Sequence, residues 1–514
     1  MMNPIERAQN ILLENYGIKG NCLPLVGWSD INFRVDAGEE KYILKISPGD
    51  QERSALLFQA SLLQHLRSKQ LRGAPQFLMN KSGQPITEII WEGSATLCRL
   101  LTWSEGRVLA SVNPKTSALR EALGQAAGEI TSALQDFDQR EESVEFDWEL
   151  ANSLWTKNEL KLFTDEEQEF IIYFQERFEN EFVPYSKLRK SVIHNDVNDL
   201  NTIVDRNFAS PGISGIVDYG DATYTHTIND LAIALAYALF DLPDPLRGAA
   251  EVVRGYHRAF LLSEEELEHL YTLVAMRLIV SITKATLGKA QNPENEYLSV
   301  SEKPAWAALK NWRLVSADLA LVAFREACDF TAHPQEIVFR SWVDNRSWQL
   351  GDLFPTAKAE KVVHVDLSVG SPWLGTLQDV HDLELGAFKF SQLQKQHPNS
   401  IIAGGYLEPR MLYTTDAYDK QGNTRSESRS VHLGVDFWLD EGTPVAAICS
   451  GEIVVSTYQE AEKEYGGLII LRHQEDGLEF YTLYGHLSRK SVTNSPVGKP
   501  VEKGQLIGKL GTPE

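Results

Sequence analysis

Hydrophobic and polar positions change rhythm three times along this chain. The first hundred residues mix short helices with alternating strands. The middle is helical, and the end returns to short strands. Pro4 to Tyr16 predicts a first helix, ended by Gly17. Gly27 to Val35 and Lys41 to Ile46 predict a β-hairpin with its turn at Asp36 to Glu40. Glu52 to Gln70 predicts a helix with Leu56, Leu57, Ala60, Leu63 and Leu66 on one face. Ile86 to Ile90 and Ala95 to Leu101 read as further strands, and Lys115 to Phe137 as a long helix. Beyond residue 228 the pattern is helical again over Asn229–Phe240, Pro245–Phe260, Ser263–Lys289 and Lys303–Phe330. Ser263 with Glu266 predicts a capping box, and Asp230 a structural cap. Val362 to Val369 reads as a strand and Asp379 to Gln396 contains a helical stretch; from Ile401 short strands alternate with Gly and Pro turns.

Candidate chemistry lies between the first β region and the long helices. Val192 to Asn201 contains His194-Asn195-Asp196, then four residues, then Asn201. That is the spacing of a kinase catalytic loop, where the aspartate takes the hydroxyl proton and the asparagine holds a metal. Thr202 to Asp205 and Ile213 to Val217 predict a hairpin that leaves at Asn201 and returns at Asp218, bringing those two side chains together at its open end. Mg²⁺ is bound by one or two carboxylates plus phosphate oxygens, so Asn201 and Asp218 are the candidate ligands and Asp196 the candidate base. Asp218-Tyr219-Gly220 stands where protein kinases have Asp-Phe-Gly. Lys45, late on the second strand of the early hairpin, is the candidate phosphate lysine. No Gly-rich loop covers the phosphates, so Ser29 and Asn32 are expected to serve with nearby backbone N–H groups. The next helix places Gln59 where a kinase has the carboxylate that orients its lysine. Leu101 to Glu105 is the expected hinge for the base of ATP or GTP.

Composition narrows the setting. The 514 residues allow two to four domains, and a formal charge of −22 opposes binding to nucleic acid or to an anionic membrane. Cys22, Cys98, Cys328 and Cys449 lie far apart with no Cys-x-x-Cys, as in a reduced cytoplasmic protein. No apolar run approaches the roughly 20 residues of a membrane span, and Met1 to Gly20 lacks a secretory pattern.

Taken together, Lys45, His194-Asn195-Asp196, Asn201 and Ile216-Val217-Asp218 resemble the aminoglycoside phosphotransferase-like small-molecule kinases, especially their hydroxylysine-kinase branch, in order and spacing over about residues 1 to 335. The resemblance implies an α+β, bilobal protein-kinase-like fold, with a small lobe at about 1–102 and a helical large lobe at about 103–335. It implies Asp196 as base, Asn201 and Asp218 on Mg²⁺, and Lys45 on the nucleotide phosphates. Asn195 stands where the family usually has Gly. Residues 336–400 are expected to connect this domain to the last one.

Near the end, Ser430 to Asp436 carries His432-Leu433-Gly434-Val435-Asp436. Strand residues four apart share a face, so both side chains could reach one metal. With Gly442-Thr443-Pro444-Val445, Gly451 to Val454, Tyr484-Gly485-His486-Leu487-Ser488 and Val501 to Gly508, the stretch 401–514 resembles a mostly-β lysostaphin-type zinc peptidase. That implies His432 and Asp436 as Zn²⁺ ligands and His486 as a catalytic histidine. The family's later His-x-His would follow Glu514, so the zinc site is expected to be incomplete; His364 and His473 lack the spacing to replace it. The two segments together resemble the front of bacterial kinase–peptidase–class III aminotransferase fusions, which implies a downstream pyridoxal-phosphate phospho-lyase as partner. The expected function is a cytoplasmic, ATP- or GTP-dependent kinase acting on a small hydroxylated amine. The alternatives are a zinc peptidase carrying an inactive kinase-like domain, or a non-catalytic nucleotide-binding module.

Overall fold

The computed structural model describes residues 3–27, 30–47, 53–139, 147–242, 244–291, 302–358, 361–414, 419–421, 426–460 and 464–512. The chain divides into two units, Met1–His333 and Pro334–Glu514.

The first unit opens with helix α1 (Pro4–Ile11), which Asn3 caps by accepting a hydrogen bond from the Ile5 N–H. Strands β1 (Asn21–Leu25), β2 (Ile31–Ala37), β3 (Glu40–Ser47), β4 (Phe77–Leu78), β5 (Thr87–Trp91) and β6 (Ser94–Thr102) form an antiparallel sheet in the order β1-β2-β3-β6-β4, with β5 on β6. The predicted hairpin is β2–β3; Ala37 faces Glu40 across a tight turn at Gly38, whose φ of 72° suits glycine. Helix α2 (Arg53–Ser68) buries Leu56, Gln59, Leu62, Leu63 and Leu66. Leu57, expected on that face, is 44% exposed, because the true stripe runs i, i+3, i+7, i+10 from Leu56.

Two short ladders organise the middle of the unit. β8 (Lys190–Ile193) pairs with β11 (Thr223–His226). β9 (Thr202–Val204) pairs with β10 (Ile213–Ile216) and with β7 (Arg107–Val108). Residues 194–201 run from β8 to β9, and residues 217–222 from β10 to β11. Both segments are therefore pinned at each end by backbone hydrogen bonds.

Around them stand α3 (Ser117–Leu134), α4 (Asp165–Tyr185), α5 (Ile228–Ala238), α6 (Pro245–Ala259), α7 (Glu264–Gln291), α8 (Glu302–Arg313) and α9 (Ala317–Ala327). The Ser263–Glu266 capping box is present at the start of α7. By length and composition α7 could cross a membrane, but 83% of its most apolar window is buried inside the unit, as in a core helix. Helices α3 and α6 meet backbone to backbone. A Cβ at Gly124 would lie 1.9 Å from the Val252 carbonyl oxygen, and one at Gly255 would lie 2.0 Å from that of Glu121.

In the second unit, strands Gly451–Tyr458, Gly467–Glu475 and Leu478–Leu487 form an antiparallel sheet with Pro500–Val501 at its edge. Ile453, Ile469, Leu471, Leu487, Val501 and Ile507 fill its core. The stretch expected to be a connector is built into this unit. Phe354 packs in that core, and strand Lys361–His364 runs parallel to Ser400–Ala403 across helix Leu383–Gln396.

Replacing Gly124 by Ala is expected to force α3 and α6 apart. The helix-propensity gain is small, whereas overpacking costs about 1–3 kcal/mol. Thermal unfolding followed by circular dichroism should show a lower midpoint; an unchanged or higher midpoint would refute the close packing.

Candidate active site

The Lys45 side chain leaves β3 and donates to Asp218 Oδ1 at 2.7 Å, joining the small lobe to the segment after β10. Asn32 lies directly opposite Lys45 in the β2–β3 register, so their side chains share one face. Asn32 Oδ1 is buried without a partner among the described residues. Ser29 and Glu52 lie outside the described residues.

Gln59 does not orient the lysine. It is buried on α2 with its Oε1 unpartnered among the described residues. The second carboxylate near Lys45 is Asp30, whose Oδ2 lies 3.8 Å from Nζ. Asp30 also takes Arg99 Nη2 at 2.7 Å and Ser47 Oγ at 2.7 Å, while Arg99 Nη1 donates to the same Ser47 hydroxyl at 2.7 Å. An anion supplied from the loop before β2 thus replaces the helix-borne carboxylate. Burial works to push the Asp218 carboxyl up, but the charge and hydrogen bond of Lys45 hold it below the usual carboxylate range.

Asp196 is the centre of the loop between β8 and β9. Its Oδ1 accepts Arg277 Nη2 at 2.8 Å; its Oδ2 accepts Asn201 Nδ2 at 2.7 Å and Asn198 Nδ2 at 3.0 Å. Asn198 Oδ1 in turn accepts the Leu200 and Asn201 N–H groups, closing the loop on itself. Because Asn201 spends its amide N–H on Asp196, its Oδ1 is the atom left for a cation. The Val217 N–H donates to the Asn201 carbonyl at 2.9 Å, so Asp218 emerges one residue beyond the point that faces Asn201. The hairpin thus brings Asn201, Asp218 and Asp196 to one end. Burial raises the Asp196 carboxyl; Arg277 opposes this, and Asp221 and Asp218 add to it. A carboxylate whose proton affinity is raised suits a general base.

His194 is fully buried beneath this loop, its ring 4.3 Å from that of Tyr219. Its Nδ1 accepts the Asp196 N–H at 3.2 Å, which leaves the proton on Nε2, donated to the Val217 carbonyl at 3.2 Å. The neutral ring ties the Asp196 loop to the segment that carries Asp218. Asp230 is not a helix cap. It accepts the Asn195 N–H at 2.9 Å and the Thr131 hydroxyl at 3.2 Å, and Tyr256 donates to Thr131 at 2.8 Å. The loop is thereby hung from three helices. Asn195 takes φ 65°, the conformation that explains the usual glycine.

Asp30, Arg99, Asn198, Asp221 and Arg277 were missed by the sequence reading. Two had a signal. Arg99 interrupts Leu97-Cys98-Arg99-Leu100-Leu101, and Arg277 interrupts Met276-Arg277-Leu278; a cation inside an apolar run must bring a partner with it.

In the second unit His432 Nε2 and Asp436 Oδ1 lie 3.6 Å apart, so the predicted pair does converge. Asp436 Oδ2, however, accepts Arg410 Nη1 at 2.6 Å, and Arg410 Nε donates to Glu408 at 3.0 Å. His473 is buried between the Ser450 carbonyl at 2.8 Å and the Thr482 hydroxyl at 2.7 Å, a structural role. His486 packs near Tyr465, with ring centroids 6.2 Å apart. Among the described residues no third group joins His432 and Asp436 to make a metal-binding set. The residues present do not fit a three-ligand zinc site. At the first unit's site the donors are all oxygens, as Mg²⁺ requires, and they fit.

Two pinned segments carrying Asp196, Asn201 and Asp218, facing Lys45 on a β-sheet lobe joined to a helical lobe, make a protein-kinase-like fold. Residues 23–268 match the phosphotransferase enzyme family APH, and residues 430–514 match peptidase family M23, so the chain carries an APH-type kinase domain followed by a lysostaphin-type domain. Hydroxylysine kinase of Xenopus laevis is 29% identical over 333 residues, spanning 59% of this chain and 88% of that protein. Lysostaphin of Staphylococcus staphylolyticus is 40% identical over 82 residues, 16% of each chain. A microcompartment-associated aminopropanol kinase structure aligns with 63% of this chain and 98% of its own, at 15% identity and a TM-score of 0.48.

Two measurements check this geometry. Burial lowers His194 from 6.5 to about 4. Between those values only the unfolded chain takes the proton, so this group's contribution to stability is intact above pH 6.5 and is lost as pH falls towards 4. Ring ¹⁵N shifts of His194 should report the neutral Nε2–H tautomer throughout that window; titration near 6.5 would refute the buried arrangement. Asp30→Ala leaves Arg99 buried without its anion, which should cost about 3–5 kcal/mol in denaturant unfolding and weaken nucleotide binding. Wild-type stability in that variant would show the ion pair to be dispensable.

Proposed function

We propose that the first unit is a Mg²⁺-dependent kinase that transfers the γ-phosphoryl of ATP or GTP to the hydroxyl of a small hydroxylated amine. The observation that carries this reading is the convergence of Asp196, Asn201 and the Lys45–Asp218 pair at the ends of two pinned segments. Asp196, hydrogen-bonded by Asn201 and Asn198 within its loop, accepts the hydroxyl proton. Lys45 and Asn32, on one face of the β2–β3 hairpin, receive the phosphates. Asn201 and Asp218 hold Mg²⁺, which when bound neutralises phosphate charge. Nearly all of the rate enhancement then comes from positioning and charge stabilisation.

The hydroxylated-amine class is supported by the likeness to hydroxylysine kinase, which spans most of that protein. A cytoplasmic setting goes with use of a nucleotide and with four buried, unpaired cysteines. No zinc-dependent step is assigned to the second unit, because Arg410 shares Asp436 and no third ligand is present among the described residues.

Phosphoryl transfer from ATP and GTP should be measured against 5-hydroxylysine, ethanolamine and homoserine. Wild type should phosphorylate at least one, and Asp196→Ala should lose roughly 10²–10⁴-fold in kcat, the usual worth of a general base. Equal turnover by the two proteins would refute the assignment.

A further inference from the structure

Among the described residues, every hydrogen bond to the Asp196 carboxylate but one comes from its own loop. Asn198 and Asn201 lie two and five residues away, and they move with it. Arg277 is the one described residue that reaches in from another element, the middle of α7, placing Nη2 2.8 Å from Oδ1. Its guanidinium is itself fixed: Nη1 donates to the Trp148 carbonyl at 3.2 Å, and the group lies 4.8 Å from the Trp148 ring centroid and 5.5 Å from that of Tyr237. Tyr237 is held in turn by a 2.7 Å hydrogen bond with Ser281, one turn further along α7.

This arrangement is costly. Arg277 is 1% exposed and its Nε–H has no partner among the described residues. An orphaned buried donor costs about 1–3 kcal/mol. An apolar side chain facing a smaller loop residue would pack more cheaply, so stability alone does not account for the arginine. Aspartate χ2 is broad and nearly two-fold, so a carboxylate held only from its own loop can swing. A planar fork, locked between aromatic rings and braced on another helix, stops that swing.

We propose that Arg277 is the positioning residue of the base: it fixes the plane of the Asp196 carboxylate so that one oxygen stays aligned with the acceptor hydroxyl. The inference rests on Asp196 being the base. Arg277 touches neither nucleotide phosphates nor Lys45 in this scheme, so its loss acts on turnover and leaves nucleotide binding alone.

The experiment compares wild type, Asp196→Ala, Arg277→Ala and Arg277→Lys, with Mg·ATP and whichever of 5-hydroxylysine, ethanolamine or homoserine wild type turns over. Binding of a fluorescent ATP analogue and the melting midpoint are measured alongside. A misplaced catalytic group loses roughly 100-fold. Arg277→Ala should therefore fall by about that factor in kcat while keeping its KM for ATP, and added methylguanidinium should restore part of the rate. Methylguanidinium should do nothing for Asp196→Ala. Arg277→Lys keeps the charge without the fork, and should keep its melting midpoint yet remain well below wild type in kcat. Wild-type kcat in Arg277→Lys or Arg277→Ala overturns the inference and leaves the kinase reading standing. So does a loss of kcat in step with folding that methylguanidinium does not mend. If wild type phosphorylates none of the three, or matches Asp196→Ala, the kinase reading fails and this inference fails with it.

Discussion

The Lys45–Asp218 ion pair is the interaction on which the first unit's site depends. Lys45 is largely withdrawn from water, its side chain 11% exposed, and attraction to the half-exposed Asp218 offsets that cost only when the geometry is good. Here it is good at 2.7 Å, and it spans the lobes. The same rule governs the surroundings: Arg99 is buried because Asp30 is there, and Arg277 because Asp196 is there. Three cations and three carboxylates are thus sorted into pairs, and the pairs determine where β3, the loop before β2, the β8–β9 loop and α7 must sit. Asp221 adds a fourth carboxylate to this cluster; burial and the neighbouring Asp218 push its proton affinity upward.

Much of this was legible from residue order. The hairpin bearing Lys45, the loop bearing Asp196 and Asn201, and the return to Asp218 follow from alternation, turn residues and spacing, all local properties. What escaped was non-local. Arg99 and Asp30 are 69 residues apart and Arg277 and Asp196 are 81 apart, and no period links such pairs. Gln59 was placed by analogy with a helix-borne carboxylate, whereas the anion near Lys45 comes from the loop before β2. Asp230 looked like a cap because it opens a helix; its partner, the Asn195 N–H, lies on another element. The stretch 336–400 carried weak periodicity, and only pairing with Ser400–Ala403 makes Lys361–His364 a strand.

In the second unit the His432–Asp436 pair sits inside a charged network of its own. His432 and Asp436 share a strand-end geometry that suits a metal, yet Asp436 is also the anion of a buried arginine. Arg410 is 8% exposed and bridges Asp436 to Glu408, whose other oxygen accepts the Leu367 N–H at 2.8 Å. A guanidinium in that position supplies positive charge as a cation would, and it ties together three segments of the unit.

Asn195 carries one more implication. Its backbone adopts a conformation that glycine reaches freely, and both polar atoms of its side chain are buried without partners among the described residues. Glycine would spare that desolvation but would widen the ensemble of the unfolded loop. The asparagine therefore shifts disorder out of the denatured chain at the expense of an unsatisfied amide in the native one. Each orphaned polar group costs about 1–3 kcal/mol and the entropy term is worth only about 0.4–1 kcal/mol, so the asparagine is a net cost to the stability of the Asp196 loop.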